Sequence, residues 1–112
     1  MPNERTTLKN QIDAYLRELR PHVWFRKKWG GGVFQHEGDW DYFVIYYGLG
    51  GVIEAKHPIT RPKLAPAQIV FGNTIVRAGG FAIEAFSVND VRLGLAKAHA
   101  IRVFPRGGAG IV

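Results

Sequence analysis

Two apolar runs lie close together in this chain, Trp40 to Tyr47 (WDYFVIYY) and Gly51 to His57 (GVIEAKH), separated by Gly48-Leu49-Gly50-Gly51. Short runs rich in β-branched and aromatic residues favour strands, and a glycine-rich spacer between them favours a tight turn. The segment therefore predicts a β-hairpin. Charge constrains it further: Asp41 sits in the first run, and Glu54 and Lys56 in the second. A charge in a core-forming strand loses its hydration, and a partner charge or a metal must offset that cost. Residues two apart on a strand share a face, so Glu54 and Lys56 project together while Ala55 points away. A tight hairpin then sets Asp41 beside Glu54 or Lys56.

Two chemistries suit such a trio. Asp41 and Glu54 offer the hard oxygens that Mg²⁺ or Mn²⁺ prefers, and the Ala55 carbonyl adds another. Lys56 is then placed to hold an attacking water, or to stabilise charge on a phosphorane-like transition state. This reading points to metal-dependent hydrolysis of a phosphodiester. The other reading is structural, with Asp41 or Glu54 paired to Lys56 inside the fold. Glu-x-Lys is a common tripeptide, and spacing leaves both open.

A chain of 112 residues, 46% hydrophobic and 21% charged, is the size and composition of one folded domain. It has no cysteine, which removes disulfides and thiolate metal sites. The polar start Met1-Pro2-Asn3-Glu4-Arg5 does not read as a signal peptide, and no apolar run approaches the ~18 residues needed to span a bilayer. The expectation is a cytoplasmic protein with no membrane partner. Fifteen Lys and Arg against nine Asp and Glu give a net charge of +6, which favours a polyanion. Seven of those basic residues, against three acids, fall within residues 1–28. Basicity alone fits a solvated surface equally well.

Leu8, Ile12, Tyr15 and Leu19 recur at helical spacing, which predicts a helix over residues 5–20, ended by Pro21. His22 to Lys27 reads as a strand, and Gly30-Gly31-Gly32 as a flexible lobe. Val33 to Gly38 reads as strand or loop. The strand 40–47 is apolar on both faces, so the expectation makes it central, with helices on either side. A strand over 51–57 follows, then a proline-rich loop from Pro58 to Pro66. Pro66 suits the first position of a helix running to Ala78 and closed by Gly79-Gly80. Phe81 to Phe86 reads as a strand. Ser87, with Asp90 three residues on, reads as a capping box for a helix to about His99. Ile101 to Phe104 reads as β-like, and residues 106–112 as a mobile tail. The order is that of an α/β sandwich around a mixed sheet.

The run from Gly38 to Asp90 resembles the virus-type replication-repair nuclease (VRR-NUC) domain, a branch of the PD-(D/E)xK nuclease superfamily. The resemblance rests on Gly38-Asp39-Trp40-Asp41 before an apolar strand and on Val52-Ile53-Glu54-Ala55-Lys56. It continues through Lys63-Leu64-Ala65-Pro66-Ala67-Gln68, Arg77-Ala78-Gly79-Gly80 and Ser87-Val88-Asn89-Asp90-Val91. With the first helix and Val23-Trp24-Phe25-Arg26, about 90 residues follow the family's order. Trp40 departs from the family's pattern, where proline often precedes the aspartate.

The resemblance implies a restriction-endonuclease-like mixed β-sheet flanked by helices, with an α-β-β-β-α-β core, in a single domain over residues 1–112. It implies Asp41 and Glu54 as metal ligands, Lys56 as the catalytic lysine, and Gln68 bordering the site. Glu4 is the candidate for a further metal ligand from the first helix, with Glu18 a solvated alternative. The implied activity is Mg²⁺- or Mn²⁺-dependent nicking of branched DNA, such as four-way junctions or flaps, by a phage-type homodimer. Asp39 remains an alternative acid, and Gln68 also reads as an ordinary first-turn residue.

Arg26, Lys27, Lys28 and His36 are candidates for gripping DNA phosphates, with a solvated strand end the alternative for the basic three. His22, His57 and His99 lack metal-ligand spacing. The glycine clusters lack the Lys-Ser/Thr of a phosphate-binding loop. Trp24, Trp40 and tyrosines 42, 46 and 47 read as core. Two other classes compete: a non-catalytic basic DNA-binding protein, and a sequence-specific restriction-type endonuclease.

Overall fold

Leu8, Ile12 and Leu16 lie one helical turn apart and are all buried along one side of the first helix, α1 (Glu4–Glu18). The computed structural model describes residues 4–28 and 38–103. The buried stripe runs through Leu16; Tyr15 and Leu19 are only partly buried, and the helix stops two residues before the expected end. Four strands follow in space as they do in sequence: β1 (Val23–Lys27), β2 (Tyr42–Tyr46), β3 (Leu49–Ala55) and β4 (Phe81–Ala85). The first two pairings are antiparallel and the third is parallel, giving a mixed sheet. A parallel pairing requires a crossover, and α2 (Pro66–Arg77) provides it between β3 and β4. The last helix, α3, spans Val88–Val103. The chain is a compact α/β fold of four strands and three helices among the described residues.

The hairpin turn is shorter than expected. Tyr46 pairs with Leu49, so only Tyr47 and Gly48 make the turn, both at positive φ (50° and 80°). Such a two-residue turn matches the right-handed twist of the strands it joins. The glycines at 50 and 51 belong to β3. A side chain on Gly51 would collide with the Phe81 ring, with Cβ only 2.3 Å from it.

Layering corrects one expectation. Helices α1 and α3 cover one face, packing on Tyr42, Val44, Ile53, Ala55, Phe81, Ile83 and Ala85. The other face carries a smaller core in which Trp40, Val52 and Ala82 meet Leu64, Phe71, Ile75 and Val76. Helix α2 therefore sits over β3 and β4 only. The strands covered on both sides are β3, where every residue from Gly51 to Ala55 is buried, and β4, where only Glu84 is partly exposed. Strand β2 alternates instead, with Phe43 and Ile45 exposed at 47% and 37%. Among the described residues, no helix lies above its apolar outer face.

The α3 cap matches the reading of Ser87: the Asp90 N–H donates to Ser87 Oγ at 3.1 Å. The returning Asp90 carboxylate accepts from Phe86 N–H at 2.8 Å rather than from the cap residue itself. The helix then continues through Ile101 to Val103, where a β-like piece was expected. Neither Gly nor Pro interrupts the chain between Gly94 and Val103, so nothing local stops the helix. Phe104, the expected tail at 106–112, the glycine lobe at 30–32 and His36 lie outside the described residues.

Candidate active site

The hairpin register determines the centre of the site. The last residue pair of the β2–β3 ladder is Tyr42 with Ile53, which brings Asp41 opposite Glu54 one step further. There the two carboxylates extend the ladder. Asp41 N–H donates to Glu54 Oε1 at 3.0 Å, and Ala55 N–H donates to Asp41 Oδ2 at 2.9 Å. Each acid thus accepts a main-chain proton from the opposing strand. The arrangement satisfies backbone donors and locks both side chains in buried positions, with Asp41 7% and Glu54 4% exposed.

Cations gather on the remaining oxygens. Arg5 Nη2 lies 3.0 Å from both Asp41 oxygens and 3.9 Å from Glu54 Oε2, while Arg5 Nε donates to the Ala55 carbonyl at 3.0 Å. Lys9 Nζ lies 3.0 Å from Asp41 Oδ1. Lys56 Nζ is 3.7 Å from Glu54 Oε2 and donates to the Lys63 carbonyl at 3.4 Å. Gln68 Nε2 donates to the same Glu54 oxygen at 2.8 Å.

Trp40 positions the glutamine. Its indole N–H donates to the Gln68 carbonyl at 2.9 Å, and its ring packs so close to Gly72 that a Cβ there would lie 2.7 Å away. The first turns of α2 are thereby pinned against the start of β2. Gln68 also accepts from Ala65 N–H through Oε1 at 3.0 Å, which orients its amide toward Glu54. Gly38, at φ 87°, comes so near Ala67 that a Cβ would meet its carbonyl oxygen at 2.6 Å. Only glycine suits that position.

Burial alone would raise both carboxyl pKa values, but the two shift in opposite directions. At Asp41 the burial effect is outweighed by the Ala55 N–H, by Lys9 and by Arg5, and its pKa is lowered. At Glu54 burial prevails, reinforced by the neighbouring Asp41 charge, and its pKa is raised despite Gln68 and Lys56. Two like groups in one site with pKa values pushed apart are able to divide acid and base roles.

Asp41, Glu54, the Ala55 carbonyl, Lys56 and Gln68 therefore come together. Glu4 does not join them: it is exposed on the first turn of α1, and Arg5 faces the acids instead. Among the described residues, no three His, Asp or Glu side chains form a group suited to a metal. Lys27 is drawn to the α1 side, where its Nζ lies 2.7 Å from buried Asp13. Arg26 and Lys28 stay exposed. Glu18 is exposed and Asp39 half-buried.

Three residues escaped the sequence reading. Arg5, Lys9 and Asp13 recur every four residues along α1, so they share one side of the helix. Asp13 also accepts from Tyr42 Oη at 2.7 Å, linking the helix to β2 beside the acids. That four-residue spacing was the available signal.

No protein-family model matches this chain, and no curated protein matches it.

Proposed function

We propose that this protein is a metal-dependent endodeoxyribonuclease of the VRR-NUC type that hydrolyses phosphodiesters in branched DNA, four-way junctions or flaps. One observation carries the proposal. Asp41, Glu54 and the Ala55 carbonyl converge on a single cationic group, the Arg5 guanidinium, with Lys56 and Gln68 on the outer oxygen of Glu54. Three hard oxygens around one positive centre are a donor set for Mg²⁺ or Mn²⁺. The order of elements, with acids at adjoining strand ends of a mixed sheet, agrees with a restriction-endonuclease-like arrangement.

Asp41, Glu54 and Ala55 O would hold the ion. When bound, it neutralises phosphate charge and acidifies water. The protein's own residues do the rest. Gln68 donates to Glu54 Oε2, the oxygen that faces Arg5, and so fixes its direction. Lys56, only 8% exposed, presents its amine at the mouth of the acid pair, where it orients the attacking water or donates to a phosphate oxygen. Arg5 gives way, its 40% exposure leaving it room to turn toward solvent or toward a DNA phosphate. Cleaving a four-way junction symmetrically takes two such sites, so a homodimer in the cytoplasm completes the proposal.

The Arg5–Asp41 pair also favours a second reading, a basic DNA-binding protein whose buried ion cluster is purely structural. Labelled linear duplex, flap and four-way-junction DNA, incubated with Mg²⁺, Mn²⁺ or EDTA, separates the two. The nuclease cuts branched substrates only with metal, and Glu54→Ala and Lys56→Ala abolish cutting. Absence of cleavage with either metal, or full cleavage by those variants, rules it out. Cleavage at one short duplex sequence alone would identify a restriction-type enzyme instead.

A further inference from the structure

The outer face of the β1–β2 half of the sheet, left open by α2, bears an aromatic platform beside the acid pair. Along β2, alternation places Phe43 and Ile45 on that side, the side to which β3 turns Val52 and Glu54; along β1 it places Trp24 and Arg26 there. Trp24 is 50% exposed and Phe43 47%, against the expectation that Trp24 is core. Their rings meet edge to face at 6.4 Å, and the Arg26 guanidinium lies 5.8 Å from the Trp24 ring. Arg26 pairs across the ladder with Phe43, and Lys28 N–H donates to the Asp41 carbonyl at 2.7 Å. Toward the acid end, the open face reads Trp24, then Arg26 and Phe43, then Lys28 and Glu54.

We infer that this platform stacks unpaired bases of the DNA next to the scissile phosphate. The inference rests on the nuclease reading and names what part of the substrate that site takes. Exposed aromatics on a sheet face, interleaved with arginine, are the general device for holding splayed bases, because every base has a π-face and the cations track the backbone. The spacing suits it: Phe43 pairs with Val52, which lies two residues along β3 from Glu54, about 7 Å, or on the order of one nucleotide of extended single strand. A base on Phe43 or Trp24 thus belongs to the strand entering the acid pair. Charge favours nucleic acid over a second copy of this chain. A two-fold pairing of this face would gather Arg26 and Lys28 of both copies into one interface, in a protein already carrying +6.

The test measures binding without cleavage. Fluorescence anisotropy in EDTA compares a flap bearing a single-stranded arm with a blunt duplex of the same length, for wild type, Trp24→Ala, Phe43→Ala and Trp24→Phe. Each alanine variant weakens flap binding roughly five- to a hundredfold, the range for one lost stacked base. Duplex binding is unchanged, and Trp24→Phe retains most of the flap affinity. The salt dependence also stays as in wild type, because no phosphate contact is lost, whereas Arg26→Ala lowers its slope by about one. Circular-dichroism melts confirm that the variants fold. Unchanged flap binding, or equal loss on flap and duplex, overturns the inference. So does sedimentation showing that Trp24→Ala only splits a dimer while DNA affinity per subunit is kept. The two readings fail separately: Trp24-dependent flap binding without cleavage in any metal removes the nuclease alone, and metal-dependent cleavage with Trp24-independent binding removes the platform alone.

Discussion

Replacing Arg5 by alanine tests whether the acid pair is built to receive a cation. In the folded chain the guanidinium spans both Asp41 oxygens and the Ala55 carbonyl, at 3.0 Å each. A charge pair at about 4 Å is worth roughly 4 kcal/mol at an effective dielectric of 20. Arg5 is 40% exposed, however, so solvent screens it, and Asp41 keeps Lys9 and the Ala55 N–H. A net loss of about 1–3 kcal/mol is the reasonable magnitude. In EDTA, Arg5→Ala should therefore melt about 4–12 °C below wild type, at roughly 4 °C per kcal/mol for a domain of this size.

Divalent metal should reverse the order of the two proteins' responses. In wild type a cation must first displace Arg5, so the same 1–3 kcal/mol is subtracted from its binding. The variant lacks that competitor, and its Mn²⁺ affinity should rise about 5- to 150-fold. Melting temperature followed against Mn²⁺ concentration, with titration calorimetry for the dissociation constant, reads both effects. A Glu54→Ala control should lose the response. If Arg5→Ala melts like wild type in EDTA, or binds Mn²⁺ no more tightly, the guanidinium does not occupy the cation position and the argument fails.

Lys56→Met retains the buried stem and removes the amine. It should lower cleavage at least a hundredfold, about 2.7 kcal/mol, while changing urea stability by less than about 1 kcal/mol; a large stability loss would mark Lys56 as structural. Gly72→Ala drives a Cβ into the pinned Trp40 ring at 2.7 Å, so overpacking of about 1–3 kcal/mol should exceed the gain of about 1 kcal/mol in helix propensity. A Gly72→Ala protein as stable as wild type in urea would show that the contact relaxes freely. Tyr42 is buried and donates to Asp13, and burial, then that carboxylate, push its pKa far above 10. Above pH 10 the unfolded chain releases this proton and the folded one keeps it, so stability falls with rising pH by about 1.4 kcal/mol per unit. Tyr42→Phe should flatten that alkaline decline, leaving the smaller contributions of Tyr15 and Tyr46, whose pKa values are also raised. An alkaline profile parallel to wild type refutes it.

Much of the site was legible because it is local. A two-stranded hairpin has a period of two and a short turn, so placing Asp41 near Glu54 needed only the chain between them. Pro66 at the start of α2 and Ser87 before α3 are similarly short-range signals. Trp40 was read as core and as a departure from a family pattern, but its role is specific: its indole holds the helix that carries Gln68. That role depends on Gly72 lying over the ring, which residue type alone does not reveal.

Composition and periodicity by themselves determined the three helices and four strands, apart from the end of α3, and the Asp41–Glu54–Lys56 trio as charges that the fold must neutralise. Tertiary structure decided what neutralises them and which surface stays open. Arg5 and Lys9 are more than thirty residues from Asp41 in sequence, and only the packing of α1 against the sheet brings them there. Likewise β2 is apolar on both faces, and periodicity cannot say that the α2 crossover shields β3 and β4 while leaving Trp24 and Phe43 exposed. Backbone hydrogen bonds and side-chain alternation act over a few residues, whereas charge pairing and coverage of a sheet face depend on how distant elements pack.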